Sequence, residues 1–270
     1  VDLNRALTEQ PNPESANLDK MSALEILQLM NRQDHTVLDA VEKAVPALAA
    51  LVEATADRLA QGGRLFYVGA GTSGRLGMLD AAECPPTFGT PPEMVQAVLA
   101  GGHNAFLRAV EHAEDRFEVG AEEMGLREVS ELDVVVGISA SGRTPFVLGA
   151  LQEATARNAL TGSIFCNPGA PLEKAATHPV LLQVGPEILA GSTRLKAGTA
   201  TKMALNKIST GTMVLLGKTL GNLMANLTPT CEKLHIRLVR ILSHSAGIAW
   251  EEAEKRLEAA GGDLRKALQA

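Results

Sequence analysis

The stretch Gly69-Ala70-Gly71-Thr72-Ser73-Gly74-Arg75 gains its meaning from a second one, Ser139-Ala140-Ser141-Gly142-Arg143-Thr144, which repeats its chemistry. Each follows an apolar run, residues 64–68 (RLFYV) and 133–138 (DVVVGI), that reads as a buried strand. Each opens into residues at helical spacing. A strand, a small hydroxyl-rich turn and a helix start together make a phosphate cradle. Backbone N–H groups, the helix dipole and Ser/Thr hydroxyls then converge on one dianion. Thr72, Ser73, Ser139, Ser141 and Thr144 are the expected hydroxyl ligands in a backbone opened by Gly71, and the N–H groups of Gly74 and Gly142 are expected to assist. Two matched loops imply a phosphorylated small molecule held from two sides.

The bulk of the chain agrees with a parallel sheet. Of 270 residues, 46% are hydrophobic but only 3% aromatic, so Ala, Leu and Val must build the core, which suits helices packed on a sheet. A net charge of −6 without a basic run argues against nucleic acid. Cys84, Cys166 and Cys231 lack paired spacing, so neither a disulfide framework nor a zinc site is expected. No apolar run reaches the ~20 residues of a membrane span and none reads as a signal peptide, so a cytoplasmic protein is expected.

Around the two loops the pattern alternates. Residues 1–20 are polar, punctuated by Pro11 and Pro13, and read as an extended arm. Ser22 and Glu25 fit a capping box, opening a helix with Leu24, Leu27 and Met30. A second helix is predicted over 36–61, interrupted near Pro46. Further strands are predicted at 94–99, 162–166 and 180–184, and helices at 104–113 and 117–128. From residue 200 onward the pattern is almost wholly helical. This gives an arm (1–20), an α/β domain with its N-terminal helices (21–228) and a C-terminal helical segment (229–270).

The first loop also fits G-x-G-x-x-G, the dinucleotide fingerprint. That fingerprint needs an acidic residue about 20 positions on, at the end of the second strand. Glu93 has the distance but precedes its strand. Walker A is excluded because no Gly-Lys-Ser/Thr follows. Together the two loops resemble the phosphate loops of the sugar isomerase (SIS) domain family. Two further stretches narrow the likeness: Ala82-Glu83-Cys84-Pro85-Pro86-Thr87-Phe88-Gly89, and Gly185-Pro186-Glu187-Ile188-Leu189-Ala190-Gly191-Ser192-Thr193-Arg194-Leu195-Lys196-Ala197-Gly198-Thr199. Both resemble the N-acetylmuramic acid 6-phosphate etherases, as does Thr8-Glu9-Gln10 with Asn12-Pro13.

The resemblance implies a three-layer SIS sandwich, with a central, mostly parallel sheet between helices and helical extensions at both ends. It implies cleavage of the D-lactyl ether at C3 of a phosphorylated amino sugar, without metal or redox cofactor, by a homodimer. In the family's route the ring opens to its aldehyde, which acidifies the C2 proton. A base then removes that proton, an acid protonates the departing lactate oxygen, and water adds to the unsaturated aldehyde. Carried over from the family, Glu83 is the acid and Glu114 the C2 base; the order within the pair is open. Glu187 is expected near the sugar hydroxyls or the ring-opening step. Arg75 and Arg143 are as readily solvent-facing as phosphate-ligating, and Lys196 and Lys202 could add positive charge. Cys84 reads as packing.

The C-terminus departs from the family pattern. Beyond residue 243 the resemblance implies a longer helical segment that is shortened or absent in this sequence, and residues 259–268 resemble a small ubiquitin-associated module. Two alternatives stand beside the lyase: a non-catalytic sugar-phosphate sensor of the glucokinase-regulator type, and an aldose–ketose isomerase of the same fold.

Overall fold

The computed structural model describes residues 6–108, 110–226 and 232–269. Residues 1–5 of the arm, Cys231 and the 228/229 boundary lie outside the described residues. The rest of the arm is not a plain extended strand. It folds into three 3-10 turns, Leu7–Glu9, Pro13–Ser15 and Leu18–Lys20, and buries Thr8 and Asn12.

Helix α1 (Ala23–Ala60) starts on the expected capping box, with Ser22 accepting from the Glu25 N–H and Glu25 accepting in return. Those hydrogen bonds from Ser22 also hold the Glu25 carboxyl below its ordinary value. The two helices predicted here are one. A buried stripe, Leu29, Gln33, Val37, Val41, Ala44, Leu48 and Leu51, runs unbroken past the expected junction. Pro46 lies on the exposed side, where the carbonyl it leaves unbonded turns to water.

The chain then alternates strand and helix: β1 (Leu65–Gly69), α2 (Gly71–Phe88), β2 (Val95–Leu99), α3 (Asn104–Leu107), α4 (Phe117–Leu126) and β3 (Val134–Ile138). Next come α5 (Pro145–Ala156), β4 (Leu160–Phe165), α6 (Pro171–Ala175), β5 (His178–Leu181) and α7 (Lys196–Leu215). All pairings are parallel, in the order β2-β1-β3-β4-β5. Every residue of β1 and β3 is buried, as central strands covered on both faces must be. Val, Leu, Ile and Ala from α1, α2 and α7 cover one face of the sheet. Those of α4 and α5, with Phe146, cover the other.

The helix predicted over 104–113 is a single turn. Arg75 donates to the carbonyls of Ala105 and Phe106, the acceptors a continuing helix would use, and so ends it. Pro85 and Pro86 do not end α2. They sit in its last turn, which closes on left-handed Gly89.

At the opposite edge of the sheet, Asp133 ties the starts of β1 and β3 together. Its carboxylate accepts from the Arg64 backbone (2.8 Å), the Arg64 guanidinium (2.8 Å) and the Ser130 N–H (2.9 Å). Burial pushes this carboxyl up, but the Arg64 and Ser130 hydrogen bonds outweigh it and hold it below 3.8. A depressed carboxyl stabilises the fold fully above its unfolded pKa and loses that contribution as pH falls through the folded value. Asp133→Asn is therefore expected to lower unfolding free energy by about 1–3 kcal/mol at neutral pH. The gap to wild type should narrow on acidification below pH 3.8. Urea titrations at neutral and acid pH check this, and a gap independent of pH would refute it.

Beyond α7, α8 (Glu232–Ala246), α9 (Trp250–Ala259) and α10 (Leu264–Gln269) form a small core of their own. Leu238, Leu242, Ala253, Leu257 and Leu264 fill it.

Candidate active site

The strand order reverses between β1 and β3. From β1 the chain turns outward to β2, and from β3 it turns the other way to β4. In an open parallel sheet that divergence opens a crevice beyond the carboxyl ends of the two strands, where ligands bind. Gly69 stands opposite Ile138 in the β1–β3 register, so the two hydroxyl-rich loops leave the sheet side by side. Their pairing across 70 residues of sequence is thus a consequence of topology.

In the second loop three hydroxyls meet. Ser139 Oγ lies 3.1 Å from Ser141 Oγ and 2.8 Å from Thr144 Oγ1. It also accepts from the Gly142 N–H at 3.1 Å. Gly142 has φ +68°, and a Cβ there would lie 2.5 Å from Ala170 Cβ, so only glycine fits the turn. In the first loop, α2 begins at Gly71 with no side-chain cap from Ala70. The N–H groups of Gly71, Thr72 and Ser73 have no acceptor within the helix and face the crevice end. Gly74 serves close packing, because a Cβ there would lie 2.6 Å from the Gly69 carbonyl oxygen.

Two expected donors are already used. The Gly74 N–H bonds the Ala70 carbonyl, and the Gly142 N–H bonds Ser139. These glycines shape the loops, and the hydroxyls and the first N–H groups of α2 remain to meet an anion. Arg75 is committed to Ala105 and Phe106. Arg143 differs, since its Nε is buried without a partner among the described residues.

A cleft of about 270 Å³ opens beside the first loop, lined by Gly71, Arg75, Ala105, His112 and Glu114, among others. Glu114 is exposed, in the irregular stretch before α4, and its carbonyl accepts from the Phe146 N–H at 3.0 Å. That bond fastens the Glu114 segment to the start of α5, next to Thr144. Glu83 is also exposed but lies elsewhere. Twelve residues of continuous α2 separate it from Gly71, which is about 18 Å at 1.5 Å per residue. Glu83 is not among the residues that line the cleft of Glu114. Cys84, beside Glu83, is inert: burial, with Asp80 and Glu83, pushes its thiol up to about 12.

Glu187 is fully buried and spoken for. Its two oxygens accept from the N–H groups of Lys196 (3.0 Å) and Ala197 (2.9 Å), so it caps the start of α7. Burial raises its carboxyl above the ordinary value, against those two donors and the Lys196 charge. Lys196 is buried as well. Its ammonium donates to Gln33 Oε1 (3.0 Å) and Thr36 Oγ1 (3.3 Å), and burial lowers its pKa. A Cβ on Gly198 would stand 3.5 Å from Thr72 Cγ2, so this capped turn lies against the first loop. Asn167, which sequence reasoning missed, donates to the Ala140 carbonyl inside the second loop at 2.9 Å.

The chain's similarity to known proteins agrees with this geometry. A model of the glucokinase regulatory protein N-terminal SIS domain matches residues 47–155, and the SIS domain model matches residues 116–208. The N-acetylmuramic acid 6-phosphate etherase of Microcystis aeruginosa is 55% identical over 262 residues, covering 97% of this chain and 86% of that protein. The chain belongs to the N-acetylmuramic acid 6-phosphate etherase family. Another etherase, from Halalkalibacterium halodurans, is 51% identical over 266 residues, 98% of this chain and 89% of its own length. Among solved structures, phosphoheptose isomerase GmhA from Neisseria gonorrhoeae superposes with a TM-score of 0.53 at 20% identity, covering 69% of this chain and 99% of that one. That likeness speaks for the SIS fold of the etherase family.

Proposed function

We propose that the protein cleaves the D-lactyl ether of N-acetylmuramic acid 6-phosphate, giving N-acetylglucosamine 6-phosphate and D-lactate. The observation that carries this is the 51–56% identity with etherases along almost the whole chain. The paired loops at the strand divergence supply what the substrate needs, a grip on its phosphate.

The chemistry follows from the substrate. An ether oxygen leaves poorly, so direct displacement at C3 is slow. Once the sugar opens to its aldehyde, the C2 proton is acidic. Glu114, at the cleft, takes that proton. The C2 electron pair forms the C2–C3 double bond as the C3–O bond breaks, and Glu83 protonates the departing lactate oxygen. Water then adds at C3 and a proton returns to C2. Each transfer by a placed carboxyl contributes ~10²- to 10⁴-fold. Ser139, Ser141 and Thr144, with Thr72 and Ser73 and the N–H end of α2, hold the phosphate. Glu187 acts through α7, whose first turn it holds beside Thr72.

The placement of Glu83 favours a homodimer in which a second copy brings it to the cleft that Glu114 lines. The outer side of α1 carries exposed Leu24, Leu27, Leu38 and Val45, and Leu79 is exposed one turn before Glu83 on α2. Apolar side chains exposed along helix faces suit burial against another copy. No helix among the described residues is long and apolar enough to cross a membrane, which accords with the cytoplasmic setting we propose.

Incubation with N-acetylmuramic acid 6-phosphate should release D-lactate. In D₂O the N-acetylglucosamine 6-phosphate formed should carry deuterium at C2. No lactate above background would overturn the function, and lactate with unlabelled C2 would overturn the elimination route. A sensor of the glucokinase-regulator type would bind the phosphosugar without releasing lactate.

A further inference from the structure

Thr8 and Asn12 belong to a motif that the proposed chemistry leaves unused, yet both, and Ser15 just beyond it, are anchored on segments that form the site. Thr8 is fully buried, and Asn167 is 3% exposed. The Thr8 N–H donates to Asn167 Oδ1 at 3.3 Å, and Asn167 Nδ2 donates to Thr8 Oγ1 at 3.1 Å. The same Nδ2 reaches the carbonyl of Ala140, the residue between phosphate-loop Ser139 and Ser141. The Thr8 carbonyl accepts from Gly191 N–H in the segment leading to α7. Ser15 Oγ donates to the Ile188 carbonyl at 2.6 Å. Asn12 Nδ2 donates to Gln33 Oε1 at 2.9 Å, and that oxygen also accepts from the Lys196 ammonium at the start of α7.

We propose that residues 8–15 form a strap that positions the sugar-phosphate site, with Thr8 and Asn167 as positioning residues for the second phosphate loop. The Ala140 carbonyl is held by the Cys166 N–H (3.0 Å) together with the Asn167 carboxamide, and the carboxamide is oriented by Thr8 from 159 positions away. A primary amide has two N–H donors and one oxygen. Here both faces are used, so Asn167 cannot turn without breaking a bond to the arm or to the loop. Buried polar groups with all partners in place hold one arrangement, because any shift strands a donor or acceptor away from water. The strap touches no reacting atom. Its effect is on how well the three hydroxyls are prearranged for a dianion.

The proposal rests on the second loop being a phosphate cradle, and the test separates the two. Binding of N-acetylglucosamine 6-phosphate is measured by calorimetry for wild type, Thr8→Val, Thr8→Ser and Asn167→Asp, with thermal midpoints and D-lactate kinetics alongside. Thr8→Val keeps the shape and removes the hydroxyl. It should weaken phosphosugar binding and raise KM by about 10-fold with kcat within about twofold, the pattern of lost uniform binding. Thr8→Ser should restore most of the affinity. Asn167→Asp turns an acceptor toward the Ala140 carbonyl and places a buried charge behind the loop, so its loss should exceed that of Thr8→Val. A thermal midpoint that falls in Thr8→Val while affinity and KM stay at wild-type values would overturn the strap, and so would wild-type behaviour throughout. A wild-type protein that binds no phosphosugar would sink the cradle and the strap together.

Discussion

Glu83→Gln and Glu114→Gln are each expected to cut D-lactate release by ~10²- to 10⁴-fold, equivalent to about 3–5 kcal/mol of barrier, while phosphosugar binding stays near wild type. The amides keep the size but lose the charge and the capacity to take up and give back a proton, and both side chains are exposed, so folding should not suffer. The decisive measurement uses the two variants together. Within one chain about 18 Å of α2 lie between Glu83 and the first loop, whereas Glu114 lines the cleft beside it. If a second copy supplies Glu83, a heterodimer of one Glu83→Gln chain and one Glu114→Gln chain has one intact site and one doubly disabled site. Purified by two affinity tags, it should recover about half of wild-type turnover per dimer, as expected for a symmetric pair of shared sites. Activity that stays at the level of the single variants would overturn the shared site. Wild-type rates in either single variant would remove that residue from the chemistry.

What could be read from the sequence follows from the range of each interaction. The capping box of Ser22 and Glu25 spans three residues and is visible as a local pattern. So are the buried strands of the two loops, because a central parallel strand is apolar on both faces. The end of α3 is not visible in this way. Its residues are at helical spacing, but Arg75, 30 positions earlier, takes two of its carbonyls. The continuity of α1 escapes for the converse reason. Pro46 looks like a break until it is seen on the exposed side of α1, where Glu42, four residues earlier, is exposed too and its freed carbonyl is open to solvent.

The candidate site divides along the same line. The hydroxyls of the second loop lie within six residues of one another, and their convergence is legible from spacing. Glu187 attracted attention as a polar residue in a distinctive motif. Its partners are the backbone N–H groups nine and ten residues later, where α7 starts, and only the fold shows that its carboxylate is consumed there. Asn167 carries no signal in sequence, and Lys196 stands out there only as a motif residue that could add positive charge. An isolated Asn after a strand and a Lys before a helix are ordinary surface residues until the arm and α1 are laid over them. Glu83 is the sharpest case. Its motif marks it, but which cleft it serves depends on the direction of α2, which leads away from the loops.

The second large effect is expected at Ser139, the hub of the second loop. Its hydroxyl meets Ser141, Thr144 and the Gly142 N–H at once, and the residue is 4% exposed. Ser139→Ala removes one ligand to the phosphate and leaves the remaining donors without the acceptor that gathers them. A hydrogen bond to a charged group contributes about 1.5–3 kcal/mol, so kcat/KM should fall by about 10²-fold once the lost prearrangement is added. The phosphate is remote from the bond that breaks, and its grip is the same in ground and transition states. The loss should therefore sit in KM, with kcat nearly preserved at saturation. Ser141→Ala is the internal comparison. Among the described residues that hydroxyl meets only Ser139 and the Arg143 N–H, so about 10-fold is expected there. If the two variants were equal, Ser139 would be one ligand among several and not the hub. If KM for the phosphosugar were unchanged in Ser139→Ala, the second loop would not be the phosphate cradle. The hydroxyl cluster would then be a self-satisfied turn at the start of α5.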